Sequence, residues 1–377
     1  MKPFKPIVAL SRCSRYQEEE VRFAIEAIFA SCGGLPALVQ PGQKVLLKPN
    51  MLAAVTPAEA VTTHPLVVRV VAQLLIEAGA KVYIGDSPGS GSQEKAHALT
   101  GCQAVMEETG AKLLLLEEVC FKQAGQKGER LIPLAGELDQ VDLIFNLAKL
   151  KTHSLTGMTA AVKNLYGCIP GRHKKLLHRD FPLPLDFSRL LIDLCLAVKP
   201  AFSLIDAVVA MEGVGPRRGK PRQAGLLLGS CNPFAVDAVA AAAAGFLPGE
   251  VTTTTLAEKM QLPGSKLSAI ELRGATLDEI KIENFDRGVV SSGRVSKLLL
   301  NFPLAWFRNF NYARRPYPAV NRDLCSGCGS CAENCPLQII TMQNYLPDLE
   351  LYECIRCYCC QEHCPEGAIT LTGKAPG

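Results

Sequence analysis

The sequence predicts an α/β protein: a mostly parallel sheet with flanking helices, followed by a small α+β domain. Across residues 1–286, short apolar segments alternate with helical patterns, which is typical of parallel strands covered by helices. Residues 318–377 instead contain two similar cysteine-rich runs, and residues 287–317 between these regions are strongly basic. We therefore expect an α/β domain with a ligand pocket at 1–286, a connector at 287–317 and a separate C-terminal domain at 318–377.

Seven apolar segments predict the buried strands, in the order PIVAL, KVLLKP, KVYIGD, KLLLLE, VDLIFNL, FSLIDAV and AGLLLGS. Helical patterns lie between them. The first runs from Glu18 to Gly33, and the second has Pro65 in its first turn and ends at Gly79. The third is the alanine-rich segment PFAVDAVAAAAAGF.

Polar side chains follow five of these strands. Because ligands of parallel α/β sheets collect beyond the carboxyl ends of the strands, we expect these side chains to share one pocket. The candidates are Lys48, Asn50, Asp86, Ser87, Lys151, His153, Lys163, Asn164, Asp206, Glu212 and Asp237. The lysines suit an anion such as a carboxylate or phosphate, and the acids could pair with them or hold a cation. The alternative is a set of unrelated surface ion pairs at loop ends.

Two common nucleotide signatures are absent from the sequence. The glycine-rich GDSPGSGS lacks the G-x-G-x-x-G register, and there is no G-x-x-x-x-G-K-[ST], so we find no nucleotide cofactor fingerprint. The basic stretch GRHKKLLHRD, residues 171–180, has no interleaved aromatics, and the whole chain carries a net charge of only +4. We therefore expect no nucleic acid partner and assign this stretch to a loop beside the pocket.

The C-terminal runs predict two [4Fe–4S] clusters in a ferredoxin-like domain. Each run has the spacing C-x2-C-x2-C-x3-C-P, in which the fourth cysteine binds the other cluster. The first cluster is then assigned to Cys325, Cys328, Cys331 and Cys364, and the second to Cys354, Cys357, Cys360 and Cys335. The alternative, two structural zinc sites, more often uses separated C-x2-4-C pairs.

One cysteine in the second run, Cys359, is left over by this assignment. We expect it to be a small buried side chain that binds no iron, as free cysteines often are. Since each cluster has four cysteine ligands, no iron is left open for a substrate. The sequence therefore favours electron transfer over Lewis-acid chemistry at an iron atom.

Charge is distributed unevenly along the chain. Seven acids and three bases follow residue 317, which leaves the remainder clearly basic, since the whole chain is +4. The connector contains Trp306 and no acid, and its bases are Arg287, Arg294, Lys297, Arg308, Arg314 and Arg315. It could be a plain tether, a docking segment for the acidic C-terminal domain, or a segment that contacts an anionic membrane surface. In the docking model, Arg308, Arg314, Arg315 and the 171–180 stretch guide that domain over the pocket.

Cysteine usage and hydropathy predict a cytoplasmic protein. The N-terminus does not resemble a signal peptide, and no segment approaches the roughly 20 apolar residues of a membrane span. Of the 16 cysteines, eight are assigned to iron and the others are scattered without paired spacing, as in a reducing compartment.

The ordered motifs KPN, TTHP, GDSPG, KTH, KNLYG and MEGVGP, with the S-x-x-P-x-x-x-D of Ser230 to Asp237, resemble the family named domain of unknown function 362. The resemblance runs from about Ile7 to Gly274. It implies an α/β domain fused to a two-cluster ferredoxin domain, and it implies no particular reaction. One departure is Asn232, where the family pattern has aspartate.

Three functions are consistent with these observations. The first is an oxidoreductase that passes low-potential electrons to an anionic small molecule in the α/β domain. The second is an electron carrier whose α/β domain only docks or senses a redox partner protein. The third is a protein that handles a metal or cofactor with its thiols and lysines.

Overall fold

A computed structural model describes residues 5–89, 91–288 and 315–372. Most of the predicted connector, including Trp306, Arg308 and Arg314, lies outside the described residues. No helix of the described part has the length and apolar content needed to cross a membrane. All 16 cysteines lie in the described part, and none of them forms a disulfide.

Nine strands form one sheet, and the remaining six form three two-stranded sheets. The strands are β1 (Ile7–Arg12), β2 (Lys44–Pro49), β3 (Lys81–Ile84), β4 (Lys112–Leu113), β5 (Val119–Ala124), β6 (Arg130–Ala135), β7 (Leu143–His153), β8 (Gly157–Thr159), β9 (Phe202–Glu212), β10 (Lys220–Ser230), β11 (Glu271–Arg273), β12 (Tyr317–Val320), β13 (Ile340–Gln343), β14 (Leu346–Leu349) and β15 (Ile369–Thr372). All seven predicted strands are present.

The large sheet has the order β11-β1-β10-β9-β7-β2-β3-β4, with β8 paired to β7. Five of its pairings are parallel: β1 with β11, β2 with β3, β2 with β7, β3 with β4, and β7 with β9. Pairings of β10 with β1 and β9, and of β7 with β8, are antiparallel. The prediction of a mostly parallel sheet is confirmed.

Helices cover both faces of this sheet. They are α1 (Glu18–Ser31), α2 (Leu35–Leu38), α3 (Pro65–Glu77), α4 (Gln93–Leu99), α5 (Cys102–Thr109), α6 (Ala161–Asn164), α7 (His173–Asp180), α8 (Pro184–Val198), α9 (Pro233–Ala243) and α10 (Thr252–Lys259). Apolar residues of α1 and α3 pack with one face of the strands, whereas α9 packs on the other. Because both faces are covered, the central strands are apolar on both sides, as the sequence showed.

The order of the strands reverses between β2 and β7. From β2 the chain proceeds to β3 and β4 on one side, passes through the hairpin β5–β6, and then returns as β7 on the other side of β2. Connections from β2 and β7 therefore leave the sheet in opposite directions. A crevice opens between the carboxyl ends of these two strands, which is where α/β sheets bind ligands.

The C-terminal domain is a small α+β unit with an internal repeat. Strand β12 pairs with β15, β13 pairs with β14, and two short helices lie inside the cysteine runs: α11 (Ser330–Glu333) and α12 (Cys359–His363). Its apolar core contains Ile340, Ala368 and Ile369 beside buried cysteines. A core this small gives little stability by itself, so bound clusters and the neighbouring domain are needed to complete it.

A buried ion pair joins β7 to β9. The Lys149 Nζ lies 2.9 Å from the Asp206 Oδ2, and both side chains are almost fully buried. Tyr16 donates a hydrogen bond of 2.8 Å to Asp206, and the His64 amide donates another of 3.0 Å. Because every charge in this cluster has a partner, the pair stabilises the sheet next to the crevice.

We expect Lys149→Met to lower the free energy of unfolding by about 3–5 kcal/mol, because it leaves the Asp206 carboxylate buried without a counter-charge. The double variant Lys149→Met/Asp206→Leu should recover part of that loss. Arg22→Met, which breaks the exposed Arg22–Glu77 pair, should cost less than about 1 kcal/mol. Anaerobic urea unfolding followed by circular dichroism measures all three, and equal losses from Lys149→Met and Arg22→Met would contradict the prediction.

Candidate functional site

The four cysteines assigned to the second cluster surround one cavity of the C-terminal domain. Cys335, Cys354, Cys357 and Cys360 line a cavity of about 400 Å³, and the other lining residues are apolar apart from Tyr358. Cys335 reaches this cavity from the first cysteine run. The residues therefore fit a cluster that is bound by three cysteines of one run and one of the other.

The first set shows the same crossed arrangement. Cys331 and Cys364 lie in the buried core of the C-terminal domain and Cys325 packs against that core, so cysteines of both runs meet there. The Ala368 amide donates a hydrogen bond of 3.2 Å to the Cys364 sulfur, as backbone amides do around cluster ligands. In the described ranges, no three His, Cys, Asp or Glu side chains converge on one metal ion. Such convergence is what a single zinc needs, at about 2.3 Å from each sulfur.

A second cavity, the polar pocket, has a volume of about 670 Å³ and lies where β2, β3 and β7 end. Both domains contribute to its wall. Its lining residues are Asn50, Leu52, Asp86, Ser87, Gly89, Lys151, Thr159, Lys163, Asn164, Tyr166, Gly167, Lys174, Lys175, His178, Pro216, Cys359, Glu362 and His363. The pocket therefore occupies the crevice at the reversal of strand order.

An ion pair forms the floor of the polar pocket. The Lys48 Nζ lies 2.7 Å from the Asp86 Oδ1, and neither side chain is more than 5% exposed. The Met51 amide donates a hydrogen bond of 2.8 Å to the other carboxylate oxygen of Asp86. This pair packs directly on the backbone of Gly167, where a Cβ atom would lie 1.8 Å from the Asp86 Oδ1 and 2.7 Å from the Lys48 Nζ. Position 167 therefore needs glycine for lack of space.

Amide side chains connect the ends of β2 and β7 across the crevice. Lys151 donates hydrogen bonds to the Asn50 Oδ1 at 3.0 Å and to the Val61 carbonyl at 2.7 Å. Asn50 in turn donates to the Asn164 Oδ1 at 2.8 Å, and Asn164 donates to Asn146 at 2.8 Å. The network fixes the orientation of Asn50 and Lys151 at the pocket wall.

Asp237 acts on the site through helix α6. Its carboxylate accepts hydrogen bonds from the Ala161 amide at 2.6 Å and the Val162 amide at 3.1 Å, so it holds the first turn of the helix. Burial raises the pKa of Asp237 to about 7, and the two amides oppose that rise. Asp237 does not line the pocket, and its effect is to position Lys163, which lies on α6.

The basic stretch at 171–180 is a helix rather than a loop. Lys174, Lys175 and His178 of α7 all line the pocket. Lys174 donates hydrogen bonds to the Ser87 Oγ at 2.7 Å and to the Ile169 carbonyl. Burial lowers the pKa of Lys174 to about 7, and Asp86 opposes the shift.

The C-terminal domain forms one wall of the polar pocket through helix α12. His153 Nε2 lies 3.1 Å from the Glu362 Oε1, and Ser154 donates a hydrogen bond of 3.1 Å to the Gln361 Oε1. We name these four residues the seam. The His153 Nδ1 accepts a hydrogen bond of 3.0 Å from the Leu155 amide, so the ring proton resides on Nε2, the nitrogen that lies next to Glu362.

Burial shifts the protonation of both charged groups in the seam. It lowers the pKa of His153 well below its usual value, and Lys163 lowers it further, so the imidazole is neutral. Burial also raises the pKa of Glu362 to about 7, while Lys163 and Lys151 oppose that rise. The His153–Glu362 contact in the seam is therefore a buried polar contact between domains rather than a surface salt bridge.

Basic residues outside the seam bind backbone carbonyls of the C-terminal domain. Lys175 donates a hydrogen bond of 3.0 Å to the Glu333 carbonyl, and Arg217 donates one of 3.4 Å to the His363 carbonyl. Arg315 is 3% exposed and donates to the carbonyls of Pro182, at 2.9 Å, and Arg356. Of the three arginines in the docking model, Arg315 is therefore buried where the domains meet, and the other two lie outside the described residues.

Some candidate residues lie elsewhere. Asp206 binds Lys149 and Tyr16 behind the sheet edge, and Glu212 accepts a hydrogen bond of 3.0 Å from the Asp286 amide. Lys48 lies beneath the lining layer, and His153 belongs to the seam. The candidates do not all line one pocket, because Lys48 and Asp206 lie within strands β2 and β9, where successive side chains point to opposite faces of the sheet.

The contacts of Asn232 explain why asparagine is tolerated where the family pattern has aspartate. Its Oδ1 accepts hydrogen bonds of 3.0 Å from the Phe234 and Ala235 amides, so it caps helix α9. Asparagine caps a helix about as well as aspartate.

Several lining residues were not predicted from the sequence: Tyr166, Lys174, Lys175, His178, Cys359, Glu362 and His363. The basic stretch contained a signal for those on α7, since His178 follows Lys174 and Lys175 at helical spacing, four and three residues later. The adjacency of Cys359 and Glu362 to cluster ligands gave no such signal, because nothing in the sequence shows which surface of the C-terminal domain meets the sheet.

Two family models match separate parts of the chain. The family described as "Domain of unknown function (DUF362)" matches residues 45–242, and a "4Fe-4S dicluster domain" matches residues 317–365. The "Thylakoid-associated protein sll1697" of Synechocystis is 33% identical over 256 residues, which cover 68% of this chain and 79% of that protein.

Two solved structures share part of the fold. Lactate racemase apoprotein from Thermoanaerobacterium thermosaccharolyticum matches with a TM-score of 0.40 and 14% identity, over 60% of this chain and 54% of that one. A protein from Thermotoga maritima matches with a TM-score of 0.36 and 15% identity, over 56% and 55% of the two chains. The chain thus spans about half the length of these two proteins.

We expect Gly167→Ala to lower the free energy of unfolding by about 3–5 kcal/mol, because the new methyl group forces the Lys48–Asp86 pair apart. Gly136→Ala is the matched control, since the nearest atom to its Cβ would be the Glu118 Cβ at 3.5 Å, an ordinary contact. Urea unfolding compares the two variants. A loss that is no larger in Gly167→Ala than in Gly136→Ala would show that the pair can move without cost.

We expect Cys359→Ala to keep the full iron content of about eight atoms per chain, whereas Cys360→Ala should lose or convert one cluster. The reason is that Cys360 lines the cluster cavity and Cys359 lines the polar pocket. Iron and sulfide analysis of anaerobically purified protein measures both. Equal iron loss in the two variants would mean that the ligand register is shifted by one residue.

Proposed function

Because the chain belongs to the family named domain of unknown function 362 and has a 4Fe–4S dicluster domain, we propose that it passes low-potential electrons to an anionic small molecule in the polar pocket. One observation carries the proposal. Helix α12 contains Cys360, which lines the cluster cavity, and the same helix lines the polar pocket with Cys359, Glu362 and His363. A ligand in the pocket would therefore contact the helix that holds a cluster.

The two sets of cysteines would hold two [4Fe–4S] clusters, which when bound accept and release single electrons. The chain's own residues would bind and orient the ligand. Lys151 and Lys163 favour an anion, and the Lys48–Asp86 pair on the floor is already neutralised. Helix α12 excludes water from one side, which strengthens these interactions.

Electrons and protons must balance for such a reduction. A two-electron reduction would consume two electrons from a reduced carrier protein of low potential and two protons from solvent. The products would be the reduced ligand and oxidised carrier. The partners are therefore a redox partner protein and an anionic small molecule.

Opposite charge supports the contact between the two domains. The C-terminal domain is acidic, and the remainder is basic. Lys175, Arg217 and Arg315 bind carbonyl groups where the domains meet. Such charges favour docking within the screening length of about 8–10 Å at moderate salt.

The sixteen free thiols support a reducing compartment, and we propose the cytoplasm. The name of the Synechocystis relative, a thylakoid-associated protein, supports peripheral contact with a membrane as a second location. Fractionation of cells in low and high salt separates these two locations.

Mass spectrometry of molecules released from anaerobically purified protein tests the proposed function. We expect a small anionic compound that gains two hydrogen atoms when the protein is incubated with a chemical reductant before release. Cys360→Ala should release the same compound unreduced. A protein that exchanges electrons quickly with a carrier and releases no compound would instead be a carrier with a docking or sensing domain.

A seam variant separates internal transfer from cluster chemistry. We expect His153→Leu to slow reduction of the released compound by about tenfold to 100-fold, because Glu362 loses its partner and α12 shifts at the pocket wall. His97→Leu is the matched control, since His97 is also 2% exposed but belongs to helix α4 and lies outside the seam. Equal rates in wild type and His153→Leu, at equal iron content, would contradict a role for the seam.

A further inference from the structure

Lys163 differs from the other lysines that line the polar pocket in its lack of a polar partner among the described residues. Lys151 is bound to Asn50 and Val61, Lys174 to Ser87 and Ile169, and Lys175 to the Glu333 carbonyl. The Lys163 Nζ has no hydrogen-bond or ion-pair partner within the ranges that the structure describes. It is therefore the pocket ammonium whose three donors are available to a ligand.

Two aromatic rings partly compensate the Lys163 charge. Its Nζ lies 5.7 Å from the centroid of the Tyr166 ring and 5.9 Å from that of Phe187. Burial lowers the pKa of Lys163, while Glu362 opposes the shift. Rings at these distances compensate a desolvated ammonium far less than a carboxylate does. A cation in this position is costly to the ligand-free protein, which is typical of a binding residue.

Buried hydrogen bonds behind helix α6 fix the backbone position of Lys163. Asp237 accepts the first two amides of helix α6, and Asn164, the next residue, is bound to both Asn50 and Asn146. The helix therefore cannot turn Lys163 away from the pocket without breaking several buried hydrogen bonds. A rigid, unpaired ammonium on a fixed helix is a prepared site for one anionic group.

The other residues of the pocket wall indicate what kind of ligand body would fit beside Lys163. Tyr166, His178 and His363 contribute ring side chains to the lining, and Leu52 and Pro216 add apolar surface. Burial lowers the pKa of His178 to about 3, so its ring is uncharged at neutral pH. Flat, uncharged walls suit a flat, conjugated body, since aromatic faces pack on one another. Conjugation also suits a molecule that takes up electrons one at a time, because delocalisation stabilises the radical formed in between.

We propose that Lys163 is the direct ion-pair partner of the ligand, and that the ligand is a small conjugated carboxylate. The redox role of this ligand rests on the proposed function, but its binding does not depend on electron transfer. Lys163 holds the carboxylate, and the ring walls hold the conjugated body beside helix α12.

Benzoate binding to the full-length, cluster-loaded protein tests the proposal. By anaerobic calorimetry, we expect wild type to bind benzoate and Lys163→Met to bind it about tenfold or more weakly, since a charge-assisted bond is lost. Lys163→Arg should retain part of the affinity. Benzamide and acetate should bind wild type at least about tenfold more weakly than benzoate does, because each lacks either the charge or the ring.

Thermal unfolding supplies a readout that a purely structural lysine would move in the opposite direction. Without ligand, Lys163→Met should raise the midpoint by about 2 °C or more, because it removes an unpaired charge that is partly buried. Lys266→Met, at an exposed position far along the chain, should change neither the midpoint nor benzoate binding.

Three outcomes would overturn the proposal: no benzoate binding by wild type, equal binding by wild type and Lys163→Met, or a lowered midpoint in Lys163→Met. Acetate binding as tightly as benzoate would contradict the proposal that the ligand has a conjugated body. Benzoate binding that depends on Lys163, in a protein that never reduces a pocket ligand, would refute the proposed electron transfer and leave this inference standing.

Discussion

Helix α12 forms one wall of the polar pocket, and the end of β7 contacts this helix. His153 and Ser154 are consecutive residues at the end of a central strand, and they meet Gln361 and Glu362, which are consecutive on the helix. All four side chains are buried, so water does not compete for these polar contacts. The sheet supplies the floor and the lysines, and the seam brings the cluster-binding domain against them. Without this contact, the α/β domain would present an open crevice and the C-terminal domain would be a separate electron carrier.

Electrostatics in the pocket follow from its burial. Lys48 and Asp86 neutralise each other on the floor, and Lys151 and Lys174 are bound to neutral oxygens that lower the cost of burying them. This leaves a positive site whose charge is not fully compensated by protein groups. Buried charges are tolerated where they are paired or where they bind a ligand, and the second case fits an unpaired lysine on a fixed helix.

The sequence was informative about the sheet and the cysteines, and less so about side-chain directions. Apolar segments and their order predicted the sheet, because strands buried on both faces are apolar throughout. Spacing alone predicted that Cys335 would join the second cysteine run, and Cys335 lines the same cavity as three cysteines of that run. Lys149 and Lys151 show why side-chain directions could not be predicted from the sequence. A register shift lies between them, and one binds Asp206 while the other binds Asn50. Such irregularities depend on neighbouring strands and leave no trace in local sequence.

Helix α12 is only five residues long, and it belongs to two sites at once. Cys360 and, directly after the helix, Cys364 belong to the two cysteine sets, while Cys359 and Glu362 of the same helix form part of the pocket wall. There is no room in so short a segment for one set of residues to adapt independently of the other. A substitution that reshapes ligand preference on one side will also alter the surroundings of the thiolates on the other. Ligand specificity and cluster reduction potential are therefore linked in this architecture. If either property diverged among relatives, compensating changes would be required on the α/β side of the crevice.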